Sequence, residues 1–151
     1  MTSIATIAVR AEPLRPEDLP RLTKLLDADG LPSGDLCEPG VRLFAFRDGG
    51  AVVGFAGLEV YGRDALLRSV VVDPARRRAG LGRAIVGVTL AEAQKLGATR
   101  AFLLTTAAKA YFERLGFVSI DRASAPDAIL STRQAAGLCP STAPLMAKTI
   151  A

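Results

Sequence analysis

The chain contains no histidine. That removes the commonest general base, the commonest metal ligand and every catalytic arrangement in which histidine activates Ser or Cys. Acid–base chemistry must therefore come from Asp, Glu, Tyr, Cys or ordered water. Cysteine is nearly absent as well: Cys37 and Cys139 are too few for a disulfide framework, and their spacing matches no metal-ligand pattern. Both read as reduced thiols. Aromatics make up only 5% of the residues and sit mostly inside apolar runs, not interleaved with a basic stripe as nucleic-acid binding requires. No apolar run approaches a membrane span, and the opening MTSIATIAVR has neither a basic region ahead of an apolar one nor a small-residue cleavage site. These absences predict a cytoplasmic protein with no membrane partner, no nucleic-acid partner and no metal.

What is present is a large apolar fraction and a local excess of arginine. Half of the 151 residues are hydrophobic, enough for one core with one or two layers over it, so residues 1–151 read as a single domain. The formal net charge is +4, and Arg76, Arg77, Arg78 and Arg83 supply most of it within a short stretch. A cluster of that kind suits a small anionic ligand.

Periodicity gives the element order. Thr6 to Glu12 alternates and is β-branched, a first strand. RPEDLPRLTKLLDADG reads as a helix with Pro16 in its first turn, Leu19, Leu22, Leu25 and Leu26 on one face, and Gly30 as its stop. Three apolar runs between Leu43 and Asp73, divided by DGG and YGRD, form a three-strand meander. A helix after Gly82 presents Ile85, Val86, Thr89, Leu90, Ala93 and Leu96 on one side and stops at Gly97. TRAFLLTT is a strand, AAKAYFERLG a short helix, FVSI a strand, PDAILSTRQ one or two helical turns, and PLMAKTI a last strand. The order is that of an α/β fold with a mixed sheet.

The stretch VVVDPARRRAGLGRAIV joins a buried strand to an amphipathic helix through Gly80 and Gly82. Glycines at such a corner allow positive φ and let several N–H groups converge at a helix N-terminus, a ready anion site. Arginines around it add charge-assisted bonds to phosphate oxygens, so a pyrophosphate is expected. A P-loop is excluded because four residues do not separate the glycines and no Lys-Ser/Thr follows. A dinucleotide fingerprint is excluded because Ile85 stands where a third glycine or alanine belongs, with no acidic residue near Phe102 for a ribose.

The remaining anion loop is that of coenzyme A, and here the sequence resembles a known family. VVVDPARRRAGLGRAIV is similar to the acetyl-CoA-binding segment of the GNAT N-acetyltransferases, a Gln/Arg-x-x-Gly-x-Gly/Ala loop in which Arg77, Gly80 and Gly82 take the fixed positions. AYFERLGF resembles the family's Tyr-containing helix ending in Leu-Gly-Phe, and the element order is the family's over essentially the whole chain. The resemblance implies a GNAT-like fold, a mixed and mostly antiparallel twisted sheet of six to seven strands flanked by helices, with acetyl-CoA as co-substrate.

It also implies roles. Val70, Val71 and Val72 would pair their backbone with the pantetheine arm where the strand splays from its neighbour, one N–H polarising the thioester carbonyl. Arg77, Arg78 and Arg83, with the amides of Ala79, Gly80, Leu81 and Gly82, would hold the pyrophosphate. The family's tyrosine acid falls one place away from its usual position: Phe112 stands there and Tyr111 precedes it. A one-residue shift turns a helical side chain by about 100°. Either Tyr111 protonates the leaving thiolate or water does.

An alkylammonium must lose a proton before it attacks. Glu59, in an otherwise apolar run where burial would raise its pKa, is the candidate base, with a solvated edge glutamate as the alternative. Arg68 reads either as a clamp for an acceptor carboxylate or as a cross-strand partner for Glu59. LTTAAKAYFERLGF and AILSTRQAAGLCPSTAPLMAK are similar to the amino-acid-acetylating branch, N-acetylglutamate synthases among them, and closer still to the arsenic-resistance N-acetyltransferases, which DLCEPGVRLFAF and GLEVYGRDALLRSV resemble too. This implies a small amino-acid-like amine as acceptor. Cys37 and Cys139 could meet an arsenical or serve as core residues, and Ser131, Thr132 and Arg133 could line the acceptor mouth or cap a turn. Protein or peptide N-acetylation, a non-catalytic acyl-CoA sensor and a homodimeric assembly stay open.

Overall fold

The alternation between Arg42 and Val72, broken twice by short glycine-containing turns, produces the centre of the sheet. A computed structural model of the chain describes residues 9–77, 80–138 and 143–150. In it β2 (Arg42–Asp48), β3 (Ala51–Tyr61) and β4 (Asp64–Val72) form the expected antiparallel meander. With β1 (Arg10–Pro13), β5 (Arg100–Leu104), β6 (Val118–Ile120) and β7 (Leu145–Thr149) they make one seven-stranded sheet in the order β1-β2-β3-β4-β5-β7-β6. Only the β4–β5 pair is parallel. The fold class expected from the sequence, a mixed and mostly antiparallel sheet with flanking helices, is the one observed.

Near the N-terminus two boundaries differ from expectation. The first strand begins at Arg10 and runs to Pro13, whereas Thr6 to Ala8 of the expected strand lie outside the described residues. Pro13 is tolerated because β1 is an edge strand, where a missing ladder donor is cheap. The first helix does not start at Pro16: Pro16–Asp18 form a 3₁₀ turn, and α1 is Leu19–Ala28. Pro20 explains the shift, since a second proline is accommodated only in the first helical turn, where its missing N–H has no carbonyl to serve.

Helices cover both faces. On one, α2 (Leu81–Lys95) and α3 (Lys109–Arg114) bury Val86, Leu90 and Phe112 against Leu58, Leu67, Leu103 and Phe117. On the other, α1 buries Leu22 and Leu26 against Phe55 and Val71, while the single turn α4 (Asp127–Leu130) packs Ile129 on Leu66 and Phe102. Each fully buried leucine contributes roughly 1.5–3 kcal/mol of transfer free energy, so the apolar face of α1 alone holds that helix to the sheet. Among the described residues no helix is long and apolar enough to cross a membrane.

The sheet is not regular through β4. Phe55 pairs with Val71 and Gly57 with Arg68, so Ala56 faces both Ser69 and Val70 in a β-bulge. Ser69 has φ +56, the one non-glycine residue at positive φ among those described, at a cost of about 1–2 kcal/mol for an L-residue. On the other edge of β4, the parallel ladder to β5 ends at Leu66 and Phe102 although both strands continue. The two strands part there.

A cleft between two parting strands

Where β4 and β5 separate, a cleft of about 720 Å³ opens. Residues 66–72 form one wall, residues 103–108 with Tyr111 and Phe112 the other, and Gly30 to Pro32 a third side. The backbone of Val71 and Val72, paired to β3 on one edge, and of Val70 in the bulge before them turns its second edge to this opening and not to β5. Val71 buries its side chain under α1, so the cleft is served by main chain on a wall made rigid by packing.

At one end of the cleft stands the start of α2. Gly80 is its N-cap with φ +91, a conformation that explains a glycine there. The first intrahelical bond is donated by the Ala84 N–H to the Gly80 carbonyl (3.0 Å), so the N–H groups of Leu81, Gly82 and Arg83 have no carbonyl within the helix. They form a donor cluster at the positive end of the helix dipole. The Leu81 side chain is buried, anchoring this turn, and Arg83 is exposed. Gly82 lines the cleft, and a Cβ built on it would stand 2.3 Å from the Tyr111 hydroxyl and 3.8 Å from Val72 Cγ2. Only a hydrogen leaves this corner open.

Arg77 also lines the cleft. Its Nη2 donates to both oxygens of Asp29 at the end of α1 (3.0 Å each), and its Nε donates to the Val72 carbonyl (3.2 Å). Both side chains of this pair are well exposed, so the pairing is worth about 0–1 kcal/mol and an anion can take the guanidinium at little cost. Arg76 is exposed on the preceding 3₁₀ turn. Arg78 and Ala79 lie outside the described residues.

The one-residue displacement of the tyrosine resolves in favour of the cleft. Phe112 takes the core position, edge-on to Phe117 with ring centroids 5.8 Å apart, and Tyr111, partly buried against the same cluster, reaches the cleft with its hydroxyl beside Gly82. Burial pushes the Tyr111 hydroxyl above its ordinary value, with Arg114 and Arg83 pulling weakly the other way. The hydroxyl therefore stays protonated at neutral pH.

The other end of the cleft holds Arg68, Ser69 and Gln134. Here the sequence expectation for Glu59 needs correcting. Glu59 is buried, but it does not line the cleft, and both its oxygens are taken: Arg68 Nη1 donates to Oε2 (2.9 Å) and the Tyr61 hydroxyl donates to Oε1. Both Glu59 oxygens are thus committed to partners inside the fold. Burial, then the bond to Glu59, pushes Tyr61 up to about 12, which keeps that donor protonated. Arg68 is likewise not a free clamp: besides Glu59 it forks onto both oxygens of Asp35 (2.5 and 2.6 Å). Of its two expected roles the cross-strand ion pair with Glu59 is the one seen. Burial works against both charges, yet the bonds and charge of Arg68, with Gln134, outweigh it and hold Asp35 below its usual range, while the two carboxylates raise Arg68.

Asp35, Gln134 and Asp29 are the site residues that sequence reasoning missed. The signal available was indirect: an arginine inside LLRSVVV must be paired if buried, but its chief partner lies 33 residues upstream. The C-terminal candidates separate. Thr132 caps a turn, donating to the Ile129 carbonyl (2.7 Å) and accepting from Ala135 N–H (3.3 Å), and Arg133 pairs with Glu38. Ser131 is exposed and away from the cleft lining. Cys37 is an exposed free thiol that does not line the cleft, and Cys139 lies outside the described residues.

Comparison with known proteins agrees with this geometry. Residues 39–119, more than half of the chain, match the acetyltransferase (GNAT) domain family. No curated protein matches. Among solved structures, N-acetylglutamate synthase from Neisseria gonorrhoeae, complexed with coenzyme A and N-acetyl-glutamate, superposes over 95% of this chain and 35% of that chain, with a TM-score of 0.78 and 17% identity. Rv2747 from Mycobacterium tuberculosis, in complex with CoA, covers 94% of this chain and 99% of its own at TM-score 0.69 and 22% identity. The ribosomal-protein-S18-alanine N-acetyltransferase from Escherichia coli covers 95% of both at TM-score 0.69 and 24% identity. At these identities the structures share the fold. The chain spans only 35% and 33% of the length of the two synthase chains it matches.

Proposed function

The chain belongs to the GNAT acetyltransferases, and from that premise we propose that it transfers acetyl from acetyl-CoA to the amine of a small, amino-acid-like acceptor by direct attack in a ternary complex. The observation that carries this reading is the cleft itself: an anion-binding helix start at one end, unpaired strand backbone along one wall, and a walled opening beyond it. The acyl donor supplies an activated thioester, and the rest is the work of this chain's residues.

The N–H groups of Leu81, Gly82 and Arg83, which have no carbonyl within the helix, with Arg77 released from Asp29, are the groups that would hold the diphosphate. Gly82 supports this assignment because its missing Cβ keeps the corner next to Tyr111 open. Arg78 and Ala79 belong to the same proposed loop. The open edge of Val70 to Val72 would hold the pantetheine arm, an N–H there aimed at the carbonyl where negative charge develops. Attack by the neutral amine forms the C–N bond as the C–S bond breaks; the amine proton leaves to water in the cleft, and Tyr111 donates its proton to the departing sulfur. Glu59 plays no part in that transfer. An exposed free Cys37 is in keeping with a reducing cytoplasm.

Titration calorimetry with coenzyme A, followed by free-thiol release from acetyl-CoA over a panel of amino acids, amino-acid analogues and peptides, tests the reading. Turnover with small amines supports it. Turnover with peptides alone moves the acceptor to protein N-termini, and tight coenzyme binding without turnover makes the chain an acyl-CoA sensor.

A further inference from the structure

Arg68 is buried, with 1% of its side chain exposed, where Arg77 and Arg133 stand in solvent. Its guanidinium ties together three parts of the chain. Nη1 and Nη2 fork onto Asp35 (2.6 and 2.5 Å) in the turns after α1; Nη1 also donates to Glu59 on β3 (2.9 Å). Nε donates to Ser69 Oγ (3.2 Å), the residue whose positive φ makes the β4 bulge. Gln134 approaches both oxygens of Asp35 at 3.4 Å from the far side of the chain. Gly57, directly opposite on β3, leaves room for the arginine stem: a Cβ there would stand 3.3 Å from Arg68 Cγ.

This junction lies where two walls of the cleft meet. One is Gly30 to Pro32, carried by the same post-α1 segment that ends at Asp35; the other is the β4 wall, whose course after residue 68 is set by the bulge. We propose that Arg68 and Asp35 are positioning residues for acetyl transfer. They set the spacing between the post-α1 wall and the β4 bulge, and so the aim of the Val70–Val72 backbone into the cleft, and they do not bind the acceptor's carboxylate. A bidentate fork between buried groups is geometrically stiff, which suits it to hold two segments in register. The charge of Arg68 is already answered by two buried carboxylates. A third carboxylate brought by an acceptor would share one cation with two fixed anions, an arrangement that costs more than it gains. The inference rests on the acetyl-transfer reading of the cleft.

The variants Arg68→Lys, which keeps the charge and loses the fork, and Asp35→Asn, which keeps the shape and loses the charge, test it. Each is assayed with acetyl-CoA on free amino acids and on the corresponding amino-acid amides, with coenzyme affinity measured separately by calorimetry. The expected result is a fall in kcat/KM of about tenfold or more, equal for acids and amides, with coenzyme Kd held within about twofold. A loss confined to the free acids makes Arg68 a direct carboxylate clamp and overturns the proposal. Variants that melt earlier yet keep kcat and KM within about twofold overturn it too, because the network is then structural only. Hydrogen exchange on the ligand-free protein gives a second reading that needs no turnover: in Asp35→Asn the amides of residues 30–36 and of residues 70–72 are expected to exchange faster together. Acceleration limited to residues 30–36 overturns the coupling. A wild-type chain inactive on every amine counts against the proposed function and leaves the exchange result to decide this inference. Should Arg68→Lys not fold, Asp35→Asn carries the test alone.

Discussion

The two ends of the cleft use arginine in opposite ways. At the start of α2, Arg77 is half in solvent and held by one exposed carboxylate and a backbone carbonyl. At the other end Arg68 is sealed from water and held by two carboxylates and a hydroxyl. The difference decides what each can do. An exposed, weakly paired guanidinium can exchange its partner for a ligand, because little is lost when the pair opens. A buried one cannot, because opening it strands charges in a medium that does not solvate them. The same side chain is free to act as a binding group in the first place and is fixed as a joint in the second.

Substitutions and changes of pH at the two ends sharpen or break this contrast. The largest effect is expected for Gly82→Leu: coenzyme binding falls below calorimetric detection while the melting temperature changes little, because the new side chain displaces the Tyr111 hydroxyl and fills the cleft corner without straining the backbone. Next, Arg68→Met leaves Asp35 and Glu59 buried without a counter-ion and lowers stability by about 3–5 kcal/mol, measured by denaturant unfolding. A loss below about 1 kcal/mol would place Arg68 with the exposed pairs and dissolve the comparison.

Tyr111→Phe is expected to lower kcat about a hundredfold with the fold intact. Because burial raises the Tyr111 pKa, the wild-type rate should show no alkaline decline from this group until the pH passes the ordinary tyrosine value of 10.0. Arg77→Ala should weaken coenzyme binding about tenfold. Its stability should stay within about 1 kcal/mol of wild type, the mirror image of Arg68→Met. The smallest effect is in acid. Asp35 has a folded pKa below its model-compound value of 3.8, so its ion pair stabilises the fold above that value and is lost as the pH falls from 3.8 through the lower folded pKa. Unfolding curves between neutral pH and that window should show it, and Asp35→Asn should flatten the slope.

Much of the end of the cleft at the start of α2 was legible in the sequence because its parts are contiguous. Gly80, Gly82 and Arg77 lie in one loop between a recognisable strand and a recognisable helix, and local rules about positive φ and helix termini apply to neighbours in the chain. The tyrosine was half legible: AYFERLGF located the helix, but which of Tyr111 and Phe112 faced the core depended on how α3 rolled against Phe117. The Arg68 end was not legible. Glu59 and Arg68 were visible as charges in apolar runs, yet Asp35 looked like one of several acidic residues in a polar turn, and Gln134 comes 99 residues later.

The sequence alone determined the strand and helix order, the meander with its two short turns, and the glycine-arginine loop at the start of α2, since each depends on residues within a few positions of one another. Tertiary structure decided the place where β4 leaves β5, the turn of Tyr111 toward Gly82, and the fate of Glu59 and Arg68. Burial and pairing across tens of residues govern those outcomes, and a charge in an apolar run says only that a partner must exist and not which one folding will bring to it.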